Sequence, residues 1–217
     1  RECHSDCAAP FYWAPCLWYC ISGTGSDDMH HSMKLYSRHR ELFLRYYIWQ
    51  AKWTRIPLVG RLVRRVANLY GGRLHGAYVL STAEAERVVD IAGEVALGPC
   101  SCRQVFRNCD NPIDTEIMVS LERNAFVTER PQEYRRITAE QAKEVLRQCH
   151  QRGLIHTIIR CRGDFYAICN CCNCCCVPLR LSKRYGIGKS LTRSPDIVAK
   201  FGRSQAAGQV DREPSAV

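Results

Sequence analysis

The 217-residue sequence has no cysteine between residues 21 and 99 and none after Cys176, although it contains fifteen in all. A secreted disulfide scaffold spreads its cysteines as staples and is usually much shorter, so these gaps argue against one. No apolar run approaches the length needed to span a bilayer. No Ser–His–Asp order or paired-carboxylate site stands out. The glycines of Gly186-Ile-Gly188-Lys189-Ser190 do not make a phosphate loop, because the position five before Gly188 is Lys183, where that motif needs glycine. There is no internal repeat. Acidic residues are the scarcer sign, 21 against 31 basic, for a net charge of +10. That balance permits contact with nucleic acid, an anionic membrane surface or an acidic partner, and it also fits a solvated basic face. The first residue is Arg1, which suggests a fragment or a processed product, so the lack of a signal peptide carries no weight.

What is present is concentrated. Six cysteines fall within Cys169-Asn-Cys-Cys-Asn-Cys-Cys-Cys176, and three more in Cys100-Ser-Cys102-Arg103 and Cys109. Neighbouring cysteines rarely reach disulfide geometry, and soft thiolates at this density suit iron–sulfur clusters or zinc in a reducing compartment. A further set, Cys3, Cys7, Cys16 and Cys20, has Cys-x3-Cys spacing twice over and offers a second thiolate site, with His4 as a substitute ligand and the nearby aromatics as a shield. The plain alternative is that these four pack as small hydrophobes.

Taken in order, residues 1–30 read as a Cys- and aromatic-rich arm, and 31–76 as a basic amphipathic helical hairpin. The hairpin breaks at Pro57, and Val59, Leu62, Val63, Val66 and Leu69 form the stripe of its second helix. It could lie on a membrane surface through residues 33–70 or pack on its own domain. Residues 77–202 read as the cluster-binding domain. A strand is expected at Ala77–Leu80, then a helix opened by the capping box Ser81/Glu84, then a strand at Glu94–Leu97 that delivers the first cysteine group. Asn111-Pro112 suggests a helix start, with Ile113, Ile117, Met118, Leu121 and Ala125 as its buried face. A second capping box, Thr138/Gln141, opens a helix with Ala142, Val145, Leu146 and Cys149 inside. A β-hairpin follows, Leu154–Arg160 and Phe165–Cys169, turning at Arg162-Gly163-Asp164. After Pro178 a basic tail is expected, and a disordered segment over 203–217. The fold class is therefore α+β, a small mixed helix and hairpin domain built around a cysteine-ligated centre.

A cubane [4Fe–4S] cluster takes four thiolates, often with one remote in sequence. Cys100, Cys102, Cys109, Cys169, Cys171, Cys172, Cys174, Cys175 and Cys176 are the candidates, and Cys100, Cys102, Cys109, Cys171, Cys172, Cys174 and Cys175 are the favoured ligands of one or two clusters. Zinc is the rival, because Cys171/Cys174 and Cys172/Cys175 have zinc-like spacing. His150 and His156 are candidate proton donors or satisfied structural histidines.

Over roughly residues 77–200 the two cysteine segments resemble a ferredoxin-like family of iron–sulfur proteins from anaerobic bacteria and archaea. The resemblance is carried by Cys100-x-Cys102-Arg103, Cys109 before Pro112, Gly153-Leu-Ile-His156 and Ile168-Cys-Asn-Cys-Cys-x-Cys-Cys-Cys176. It implies a [4Fe–4S] centre and a redox role, electron transfer or cluster-based reduction, in the cytoplasm and with a redox partner protein. Many members continue into a Cys-x2-Cys-x2-Cys-x3-Cys ferredoxin module, which this sequence does not contain. Two other readings stay open: a metal-stabilised, winged-helix-like DNA-binding redox sensor, and a zinc-binding interaction module.

Overall fold

The computed structural model describes residues 33–73, 75–121, 124–161 and 164–210. Cys3, Cys7, Cys16 and Cys20 lie outside the described residues. After a helical segment over 33–38, α1 (Arg40–Lys52) buries Arg40, Leu44, Ile48 and Ala51, one face at three- and four-residue steps. A tight turn leads to α2 (Val59–Arg73). Two features close that turn. Gly60 packs so near the Thr54 carbonyl that a Cβ would collide with it, and Arg64 donates to the same carbonyl oxygen at 2.7 Å.

The rest of the chain builds one mixed sheet. The strands are β1 (His75–Val79), β2 (Val95–Pro99), β3 (Asp114–Met118), β4 (Arg135–Ile137), β5 (Ile155–Cys161), β6 (Asp164–Cys171) and β7 (Leu191–Thr192), in the spatial order β4-β2-β3-β6-β5-β1-β7. Between them run α3 (Thr82–Ala92), α4 (Ser101–Phe106), α5 (Ala125–Glu129), α6 (Ala139–Gln151), α7 (Val177–Tyr185) and α8 (Ile197–Val210). The fold is α+β. Both expected capping boxes form: Ser81 with Glu84 opens α3, and Thr138 with Gln141 opens α6. The hairpin β5–β6 pairs from Ile155↔Cys171 to Cys161↔Asp164.

Side-chain alternation divides the sheet's two faces. Ile117 and Ile168 point to one face, where Val88 and Val89 of α3, Leu146 of α6 and Phe201 of α8 close the main core. Met118 and Ala167 point to the other, against Phe126 and Tyr134. Both faces of the central strands are therefore dry, and polar groups there need internal partners.

Three expectations change. The residues after Asn111-Pro112 form strand β3, not a helix, because Thr115, Ile117 and Val119 alternate with Glu116 and Met118 between β2 and β6. The basic stretch after Pro178 is helix α7, with that proline in its first turn, where its missing N–H costs nothing. The segment expected to lose order at residue 203 is helical to Val210, anchored by Ile197, Val198 and Phe201 against the core. The α6–β5–β6 run also differs from a winged helix. Its hairpin is flanked by β3 on one side and β1 on the other, which leaves no free hairpin to act as a wing.

Candidate metal centre

Strand direction explains how the two cysteine segments meet. β3 runs antiparallel to β2, and β6 antiparallel to β3, so β2 and β6 point the same way and end at the same edge of the sheet. β2 delivers Cys100 into α4 and the loop to Cys109. β6 delivers Cys171 into the turn Cys172–Cys176, which closes with the Cys176 N–H on the Cys172 carbonyl at 3.2 Å. The sheet thus brings together residues more than sixty positions apart in sequence.

At this edge the thiols of Cys109, Cys172, Cys174 and Cys175 all lie within 4.8 Å of one another, a group that could hold a metal ion. Cys109 Sγ is 3.8 Å from Cys172 Sγ and 3.9 Å from Cys175 Sγ. Hydrogen bonds aim at the sulfurs and pin the loops: the Asn108 N–H donates to Cys175 Sγ at 3.3 Å, Asn111 Nδ2 to Cys109 Sγ at 3.4 Å, and Asn108 Nδ2 to the Cys174 carbonyl at 3.0 Å. Desolvation acts to raise the Cys109 thiol, but the Asn111 backbone and side-chain donors and the thiols of Cys174 and Cys172 outweigh it and bring it to about 6. Burial, with donation to Cys109 and Cys172, pushes Cys174 up to about 11; Cys175 is raised too, again chiefly by burial. The group therefore already favours a thiolate at one corner. Its donor set, four sulfurs with N–H groups directed at two of them, fits a soft or borderline metal in tetrahedral coordination.

The other expected ligands fall elsewhere. Cys171 points away from Cys172, as consecutive residues leaving a strand must. It shares a hydrogen bond with Cys176, which lowers it against its burial, and lies 3.3 Å from Thr157 Oγ1. Cys176 is raised by its thiol contacts with Cys102 and Cys171 and by burial. Cys100, at the N-cap of α4, is raised by burial and by the neighbouring Cys102. Cys169 donates to Glu116 Oε1 at 3.2 Å. Cys149 packs in the core beside Cys172 and Cys175, as expected.

Between the two sets of thiols sits Arg103, only 2% exposed. It donates to the Asn170 carbonyl at 2.8 Å and to Thr115 Oγ1. Burial acts to lower its guanidinium, but Cys100, Cys172 and Cys171 outweigh this and raise it. Asn170 in turn donates to the Thr115 carbonyl and pairs with His156 Nδ1, both at 2.6 Å. His156 is buried and shifted down by desolvation, so it is a neutral structural ring. Of this network, reading the sequence picked out Arg103 and His156 but not Thr115, Asn170 or Glu116. Thr115 and Glu116 are consecutive in β3 and Asn170 stands between Cys169 and Cys171, in strands covered on both faces. The signal available was a polar residue interrupting β-type sequence beside cysteines.

Comparison of the chain with family models, with curated proteins and with solved structures finds no match. What the fold and site define is a class: an α+β chain with a four-cysteine group that could bind a metal. Among the described residues no helix is long and apolar enough to cross a membrane.

Proposed function

We propose that this chain is an iron–sulfur redox protein, working with a partner protein by electron transfer or cluster-based reduction. The observation that carries the reading is the convergence of Cys109, Cys172, Cys174 and Cys175 with five further thiols of the same two segments around one sheet edge. A single structural ion has no use for the surplus, whereas a centre of several irons, or two centres, does. The resemblance to ferredoxin-like proteins of anaerobes points the same way, and a reducing cytoplasm would suit so many thiols. When bound, such a centre supplies one-electron chemistry at a potential set by its surroundings. The chain's contribution is to hold the thiols, direct N–H groups from Asn108 and Asn111 at two sulfurs, and place the buried Arg103 cation beside the cysteines. Charge and donors of that kind favour the electron-rich state. Cys109 and Cys174 are part-exposed, which leaves the centre an edge a partner can approach.

A specific observation favours zinc as a second reading. Four thiolates about 2.3 Å from one tetrahedral ion stand about 3.8 Å apart, matching the 3.8 and 3.9 Å between Cys109 and its neighbours. A cubane spreads its thiolates over four irons, so the same side chains would part to receive it.

The test is iron, sulfide and zinc content, with an absorption spectrum, on protein purified without oxygen. About four irons and four sulfides per chain, with a broad band near about 400 nm that bleaches on reduction, support one cubane; about eight of each support two. Zinc without sulfide overturns the redox reading and leaves a zinc-held module.

A further inference from the structure

The helical hairpin leaves outside what a hairpin normally buries. Nine of the twelve large apolar side chains exposed among the described residues lie between Glu41 and Glu84. The same stretch holds seven basic residues and no acidic one. Along α2 and the turn before it, Leu58, Leu62, Val66 and Leu69 recur at four- and three-residue steps. They make one stripe, 80%, 64%, 52% and 54% exposed. Trp49 and Trp53 border the same opening as Leu62, Val66 and Leu69, their rings edge to face at 5.4 Å, so both helices contribute to one face.

Charge borders this face. Arg61 and Arg65 each precede a residue of the stripe and stand beside it on α2, and Lys52 adjoins Trp53. Among the described residues Lys52, Arg61 and Arg65 have no ion-pair partner. Leu58 adds a second signal. It sits at φ 65°, in the left-handed region that side chains avoid, at the tip between the helices. Packing within this chain gains nothing from a strained leucine held in water. The combination selects the occupant. An apolar stripe needs a dry medium, and cations along its edge need anions at the same level, which is the layering of an anionic lipid surface. Tryptophan, lysine and arginine are the side chains that settle at its headgroups. A second copy of this face is disfavoured, because it would set cations against cations with no carboxylate from either hairpin between them.

We infer that the α1–α2 hairpin docks on an anionic membrane surface. Leu58, Leu62, Val66 and Leu69 enter the acyl boundary, while Trp49, Trp53, Lys52, Arg61 and Arg65 lie among the headgroups. The docking rests on no cysteine and no metal, so it stands apart from the redox reading.

Co-sedimentation of the full chain with vesicles of two parts phosphatidylcholine to one part phosphatidylglycerol tests this. Saturable binding is expected, at least about tenfold weaker on pure phosphatidylcholine. Leu58→Gly should bind roughly threefold to tenfold more weakly, the worth of one partly inserted leucine, although its thermal midpoint does not fall. Arg61→Gln with Arg65→Gln should weaken binding about tenfold or more. Arg87→Gln with Arg135→Gln makes the same change in net charge on α3 and β4, and should stay within about twofold of wild type. No binding of the wild type to the anionic vesicles overturns the inference. So does an equal loss in the two double variants, which would mean adsorption by net charge alone, or full affinity in Leu58→Gly. A lipid-free dimer that Leu58→Gly dissociates would give the face to a second copy and overturn it too. Metal content of the same samples reads the redox proposal separately, because vesicle binding by metal-free protein leaves the docking standing without it.

Discussion

Replacing Arg103 by methionine should cost far more in metal-loaded protein than in metal-free protein. In the metal-free chain the change removes two charge-assisted hydrogen bonds, to the Asn170 carbonyl and Thr115 Oγ1. Each is worth about 1.5–3 kcal/mol. The methionine's apolar burial offsets part of that, so a net loss of about 2–3 kcal/mol is expected. Metal loading adds a charge term. A thiolate centre is anionic, and the guanidinium is buried against its cysteines. One unit charge about 5 Å away at an effective dielectric near 20 contributes about 3 kcal/mol. By linkage that energy must appear as metal affinity, roughly a hundredfold weaker binding in the variant. Chelator competition reads the affinity, and urea unfolding with and without metal reads the two stabilities. Arg103→Lys should recover most of the affinity, having the charge, but little of the metal-free stability, lacking the planar fork. Metal affinity in Arg103→Met within threefold of wild type would refute the electrostatic role assigned to Arg103.

Other consequences are simpler. Gly98→Ala should lower the urea midpoint by an amount worth about 1–3 kcal/mol, since a Cβ there meets the ring of Tyr134, which Arg40 holds by its hydroxyl. Leu58→Gly should stabilise by about 1 kcal/mol, because Leu58 sits at φ 65° and is 80% exposed, so it has strain to lose and little packing; a lower thermal midpoint would contradict this. Glu84 resists burial's upward push through its hydrogen bonds to Ser81 and its pairing with Arg193, and titrates below its ordinary 4.5. Its contribution is therefore complete above that value and fades as pH falls through the folded value. Glu84→Gln should lower the urea midpoint at neutral pH, and the difference should shrink as the pH falls through the folded value of Glu84.

How much could be read beforehand follows from which signals are local. The capping boxes at Ser81/Glu84 and Thr138/Gln141 fix helix starts within four residues, and both formed. The β5–β6 hairpin announced itself by its strands and turn. The failure at β3 is instructive. Ile113, Ile117, Leu121 and Ala125 are four apart and imitate a helix face, while the buried polar residues Thr115 and Glu116 conceal the two-residue alternation of a strand covered on both sides. At α8 Ile197, Val198 and Phe201 bury deeply, and a polar remainder reads as tail. The site divides in the same way. That cysteines would meet was legible from their density. Which of them meet depends on β2 and β6 ending at one sheet edge and on Cys171 and Cys172 facing opposite ways. Those are facts of tertiary pairing, and they separate Cys172 from Cys171 and Cys109 from Cys100 and Cys102.

Metal stoichiometry across single cysteine-to-serine variants, prepared without oxygen, tests the central claim most directly. The account predicts that Cys109→Ser, Cys172→Ser, Cys174→Ser and Cys175→Ser each lose most of the bound metal, while Cys161→Ser, outside the two converging segments, keeps the wild-type content. Full metal content in any folded variant of those four, or loss confined to Cys100, Cys102 or Cys171, would contradict it.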